Sequence, residues 1–223
     1  MSFPFSKTHH QQRSVRGDLH QTHRRSVRPD AAYRQRRCGD ETMSHFSAPE
    51  TWHEPTEQPT TRYVVQPAGD GYCHAVTVEE VRTRLAQLPV EFTRHVEVVQ
   101  LSGMTRKRRL FPLYGMQWGP NVYLYPIEAS LTETFLRPPR PEQRVEAKMF
   151  GGRWQQTGTE WKLIWKPETI RDFYLNNVLI HEVGHVNDTR NTNAHKREQY
   201  AIWFATEYGY RASRGRAPVR KPR

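Results

Sequence analysis

The sequence predicts an α+β fold in which a run of strands precedes two long helices near the C-terminus. Three observations carry this expectation. Residues 95–101 (HVEVVQL), 110–118 (LFPLYGMQW) and 121–127 (NVYLYPI) are alternating or rich in β-branched and aromatic side chains. Residues 151–166 (GGRWQQTGTEWKLIWK) read as a hairpin with Thr157-Gly158 near its turn. From Pro167 to about Asp188, the residues Ile170, Phe173, Leu179, Ile180, Val183 and Val186 supply a broad apolar helical side. A polar break at residues 189–193 then separates that helix from a last one over about Ala194 to Tyr210.

The remaining elements follow in order. Residues 1–61 are rich in His, Gln, Arg, Ser, Thr and Pro, with apolar residues too scattered to make a face, so a disordered arm is expected. Six of the eleven histidines lie in it, and scattered histidines in such an arm do not preorganise a metal site. Order is expected from about Tyr63. Thr77 to Leu88 reads as a helix, with Thr77 as its N-cap, Glu80 completing a capping box and Pro89 ending it. Met104 to Arg109 reads as a basic hairpin tip, and Pro138, Pro139 and Pro141 mark a loop. The chain thus divides into an arm (1–61), a folded unit (62–210) and a basic tail (211–223), the tail expected to be disordered.

With 223 residues there is room for one ordinary domain and its tails. The formal net charge is +11, and residues 211–223 carry six basic groups and no acidic one. Such a tail can make weak, sequence-independent contact with nucleic acid, although a solvated tail is the plainer reading. Cys38 and Cys73 are the only cysteines and form no CxxC pair, which argues against a zinc ribbon or a disulfide framework and suits a reducing cytoplasm. Neither a signal-peptide stretch nor a run of membrane-spanning length is present, so a soluble, cytoplasmic protein is expected. Oligomeric state is not legible.

The chemistry concentrates at His181-Glu182-Val183-Gly184-His185, which fits H-E-x-x-H within the long helix. Residues four apart lie one turn above each other, so both imidazoles can meet a single Zn²⁺ about 2 Å from each ring nitrogen. Glu182 falls on the rim of that face, where it can take a proton from a water activated at the metal and pass one to a leaving amine.

A catalytic zinc takes three protein ligands and keeps a fourth position open. A further His six residues after His185 would extend the motif, but that position is Asn191. Asp188 suits an orienting or capping role. Glu198 is the best candidate: if the two helices run antiparallel across the break, His185 and Glu198 lie at comparable depth. Ala201 and Ala205 follow on the same side and would let the helices approach closely. His195, nearer the turn, is the rival.

The run Leu179 to His185, followed by Glu198-Gln199-Tyr200-Ala201, resembles the zincin metallopeptidases of gluzincin type, over about 30 residues. The resemblance implies a zincin-like fold, with a small mixed sheet before the active-site helix and a substrate cleft beside an edge strand. It also implies peptide hydrolysis by zinc-activated water, with His181, His185 and Glu198 as ligands and Glu182 as general base. The gap before Glu198 is shorter than in thermolysin-like enzymes, and no obvious Asp follows it. The basic tails and His195 also resemble the SprT-like proteases that act on DNA-bound proteins, in which a third His is the ligand.

An edge strand near the helix favours an extended polypeptide as substrate, with residues 121–127 or 160–166 as the candidate strand. Trp161, Trp165 and Trp203 are candidates to shape a pocket, and Tyr200, Tyr208 and Tyr210 to stabilise the oxyanion. A reading from another class stands beside this one: a catalytically silent, polyanion-binding protein in which the HEVGH helix is structural.

Overall fold

The structure, a computed structural model, describes residues 27–28, 49, 51–56, 60–110 and 113–219. Its strands are β1 (Val27–Arg28), β2 (Arg62–Val65), β3 (Tyr72–Cys73), β4 (Val98–Leu101), β5 (Gly115–Trp118), β6 (Asn121–Leu124), β7 (Ile127–Glu128), β8 (Thr132–Phe135), β9 (Arg153–Thr157) and β10 (Glu160–Ile164). Its α-helices are α1 (Val78–Ala86), α2 (Val90–Thr93), α3 (Arg106–Leu110), α4 (Pro141–Met149), α5 (Pro167–Phe173), α6 (Leu179–Asn187) and α7 (Ala194–Phe204). The fold is mixed α and β with small sheets, as the sequence leads one to expect.

Hydrophobicity explains the strand order. Every residue of β4 and β6 is buried, the mark of strands covered on both faces, and they form the middle of a four-stranded sheet. β2, β4 and β6 run parallel, while β5 closes one edge antiparallel to β6, with Gly115 opposite Leu124 and Trp118 opposite Asn121. β9 and β10 form the expected hairpin around Thr157 and Gly158, Gly158 having φ +62°, and β8 extends that sheet. The expected edge strands are therefore corrected. Residues 121–124 lie between β4 and β5, and residues 160–164 lie between β8 and β9, so neither presents a free edge.

The capping box forms as expected. Thr77 N donates to Glu80 Oε2 at 2.8 Å, and Glu80 N donates to Thr77 Oγ1 at 3.2 Å. The basic hairpin tip does not form, because α3 occupies residues 106–110. Arg108 is only 1% exposed, with its guanidinium 4.5 Å from the centre of the Tyr125 ring, and Arg109 lies 5.6 Å from that of Tyr72. Two aromatic faces supplied by distant segments thus turn a run that looks solvated into a packed helix.

The long helix from Pro167 forms over α5 and α6, joined by a wider π-helical turn at Tyr174–Val178. The last helix likewise continues from α7 through a π-helical segment at Ala205–Arg211. The two wide segments touch where a Cβ added to Gly209 would stand 2.0 Å from Asn176 O. Arg84 of α1 stitches this crossing, with Nε donating to Asn176 Oδ1 at 2.6 Å and Nη2 donating to Tyr208 O. A Gly209→Ala substitution is expected to destabilise the chain by about 1–3 kcal/mol, toward the upper end because the obstacle is backbone. Urea unfolding of the variant against the parent chain measures it.

Most of the expected arm, and residues 220–223, lie outside the described residues. Residues 51–56 pack against the sheet: Asn121 Nδ2 donates to His53 O at 2.8 Å, and Thr56 N donates to Glu97 Oε2 at 2.6 Å. The basic tail also folds back as far as it is described. Arg214 pairs with Asp172 at 2.6 Å and lies 4.3 Å from the centre of the Tyr210 ring, while Val219 N donates to Glu207 Oε2 at 2.6 Å. Two of the six basic groups of the tail, Arg211 and Arg214, thereby serve internal ion pairs. Among the described residues, no helix is long and apolar enough to cross a membrane.

Candidate metal centre

Two helices and one strand build the site. Leu179, Ile180 and Val183 are fully buried and press α6 into the core, which fixes the opposite side of that helix toward α7 and β5. That side carries His181 and His185. The polar break turns the chain back, with Asn193 capping α7 by accepting from Lys196 N at 3.3 Å. Asp188 serves the break, accepting from Asn191 N at 3.2 Å and Asn191 Nδ2 at 2.8 Å. It stands at the C-cap of α6, the capping position expected of it, and is not in the group formed by the two rings and Glu198.

α6 and α7 approach closely because of small residues. A Cβ added to Gly184 would lie 3.1 Å from Ala201 Cα and 3.0 Å from Phe204 Cβ, so any larger residue at 184 would push the helices apart. The close crossing brings Glu198 against the two rings. His181 Nε2 and His185 Nε2 are 3.1 Å apart, His181 Nε2 lies 3.5 Å from Glu198 Oε2, and His185 Nε2 lies 3.2 Å from Glu198 Oε1. Together His181, His185 and Glu198 form a group of side chains able to hold a metal ion. His195 is not in that group; its Nε2 sits 2.9 Å from Gln199 Nε2 on the exposed side of α7.

These spacings fit a cation. A tetrahedral ion with bonds of about 2.0–2.1 Å sets its ligand atoms about 3.3–3.4 Å apart, close to all three separations. Two ring nitrogens facing one another satisfy only one hydrogen bond between them, and Glu198 Oε2 is buried without a hydrogen-bond partner. Donors left this way inside a protein are the arrangement that a bound ion completes. Two imidazole nitrogens and a carboxylate make a mixed nitrogen and oxygen donor set, unlike the all-oxygen cages that hold magnesium or calcium.

Burial raises the Glu198 carboxyl, but the two imidazoles beside it outweigh that, pulling it down from its ordinary 4.5 to about 2. A group whose folded value is depressed adds stability above its unfolded value and loses it as pH falls. In the metal-free chain, the contribution of Glu198 is therefore expected to hold above pH 4.5 and to vanish toward pH 2. Unfolding curves of the chain and of a Glu198→Gln variant should converge across that window.

Glu182, 4% exposed, packs under the edge strand. A Cβ added to Gly115 would stand 2.8 Å from Glu182 Oε1 and 2.7 Å from Val178 Cγ1, so the first residue of β5 must be glycine for this carboxylate to fit. A Gly115→Val substitution should displace Glu182 and destabilise the fold by about 1–3 kcal/mol, readable by urea unfolding. β5 is also tied to the helix that carries Glu198, because Arg197 Nη2 donates to Gln117 Oε1 at 3.2 Å. The sequence offered a signal for β5 in a glycine opening an apolar strand, yet Gly115, Gln117 and Arg197 were not singled out by pattern.

The aromatic candidates divide differently from expectation. Trp165 is a core residue stacked on Phe173, Trp161 carries the Arg144 guanidinium, and Trp203 packs with Tyr200, Phe204 and Tyr208. The cavity beside His181 is lined by none of these tryptophans; of the three tyrosines, only Tyr210 reaches it. Compared with known proteins, the chain matches no family model, no curated protein and no solved structure.

Proposed function

We propose that this protein is a zinc-dependent metallopeptidase with a zincin-like catalytic domain that hydrolyses peptide bonds of a polypeptide. The observation that supports this most is the convergence of His181, His185 and Glu198 at ligand spacing, next in the chain to Glu182, which packs against Gly115 of the edge strand. His181 Nε2, His185 Nε2 and a Glu198 oxygen would hold the ion. Bound there, zinc supplies Lewis acidity that makes a water nucleophilic near neutral pH.

The other parts of the reaction belong to the chain. Glu182 takes the proton of the attacking water as the new C–O bond forms, and delivers it to the amine nitrogen as the C–N bond breaks. At 4% exposure the carboxylate is kept out of bulk solvent. The outer edge of β5 offers backbone groups to which an extended chain can pair, which suits a polypeptide better than a small amide. The position of Glu198 favours an acidic third ligand over the histidine of SprT-like proteases. The inward ion pairs of Arg211 and Arg214 weaken the case for a tail free to bind polyanions.

Chelation tests the reading. A casein or peptide-pool digest by the purified chain should stop after dialysis against EDTA and return with one equivalent of zinc. Cleavage that continues undiminished in EDTA would refute a metal-dependent reaction.

A further inference from the structure

We infer that the cavity beside His181 is a subsite for a long basic side chain, lysine or arginine, flanking the scissile bond; this rests on the peptidase reading. The cavity has a volume of about 300 Å³ and lies between α4, the segment holding Asn177 and His181, and the last helical run. That is the low end for ligand pockets and suits one side chain rather than a whole cofactor. His181 forms part of its wall, so whatever enters stands next to the metal centre.

Its lining is split by chemistry. Val145, Met149, Phe150 and Ile202 form apolar walls, and Val145 and Ile202 remain 59% and 36% exposed, large apolar groups left uncovered. Glu142 and Glu146 also line it, one helical turn apart on the same face of α4. Asn177 Nδ2 donates to Glu146 Oε1 at 2.7 Å, fixing that carboxylate to the helical run that leads into His181. Arg144, between the two glutamates in sequence, has its guanidinium 5.0 Å from the centre of the Trp161 ring.

An apolar trough with carboxylates on one wall matches an aliphatic stem that ends in a cation. Leucine would use the apolar walls only, and an acidic side chain would be repelled. The acidic lining is also local, because the chain as a whole carries a net charge of +11.

The test uses the full zinc-loaded chain and a set of peptides identical except for Lys, Arg, Leu or Glu at each position flanking the cleaved bond. The expected result is a kcat/KM at least about tenfold higher for Lys or Arg than for Leu at one of these positions. That ratio should fall toward one in Glu142→Gln, Glu146→Gln and their double variant, and should invert in favour of Glu in Glu142→Lys. Gln at 146 keeps an oxygen for Asn177, and Glu142 is exposed, so folding should survive; circular dichroism confirms it. Hydrolysis without a basic preference, or a preference unchanged in the variants, overturns the subsite. Binding of fluorescent Lys and Leu peptides to a Glu182→Gln protein separates the two readings. If nothing is cleaved yet the Lys peptide binds about tenfold more tightly in a way that needs Glu142 and Glu146, the subsite stands and the hydrolase falls. Equal binding of the two peptides overturns the subsite whether or not cleavage occurs.

Discussion

A Glu182→Gln variant is expected to bind one zinc ion per chain as tightly as the parent and to hydrolyse peptides about 10²- to 10⁴-fold more slowly. Gln preserves the shape of the side chain that fills the space under Gly115, so the metal ligands and β5 keep their places. What the amide lacks is a lone pair basic enough to take a proton from the attacking water. The loss should fall on kcat, because a general base would act in the transition state rather than in binding peptide. Zinc content by atomic absorption and single-substrate kinetics together measure both halves. A variant with full zinc and full activity would remove Glu182 from the role of base.

The second large effect is expected at the third ligand. Replacing Glu198 with Ala leaves two imidazoles to hold the ion, and zinc affinity should fall by roughly 100-fold or more, beyond the 10- to 100-fold typical of losing a group one shell further out. His195→Ala should leave affinity unchanged, since His195 bonds with Gln199 rather than facing the rings. Competition against a zinc-binding dye distinguishes the two. Equal affinity in Glu198→Ala, with weakened binding in His195→Ala, would reverse the assignment of the third ligand.

These contrasts show what a sequence carries. His181, Glu182 and His185 are legible because their relation is local, and helical periodicity alone brings the rings to one face. Glu198 was reachable by one further step, an antiparallel return across a short polar break. Ala201 gave the hint of close approach, and Gly184 is the partner against which it packs. The edge strand was not legible, because strand order is set by partners far apart in sequence. The apolar run 121–124 pairs with β4 on one side and β5 on the other, and only the paired sheet reveals that β5 is outermost. The same holds for charge. Arg108 finds the Tyr125 ring, and Arg214 finds Asp172 across 42 positions, so runs that look solvated become packed. The π-helical crossing at Asn176 and Gly209 left no periodic trace, yet it helps set how the two helices meet.

The most direct measurement is an anomalous difference map recorded at the zinc absorption edge from crystals of the full chain grown with zinc. One strong peak is predicted about 2.0–2.1 Å from His181 Nε2, His185 Nε2 and a carboxylate oxygen of Glu198, with an open side toward Glu182. Zinc found only on histidines of the N-terminal arm, or no peak between these three side chains, would contradict the account.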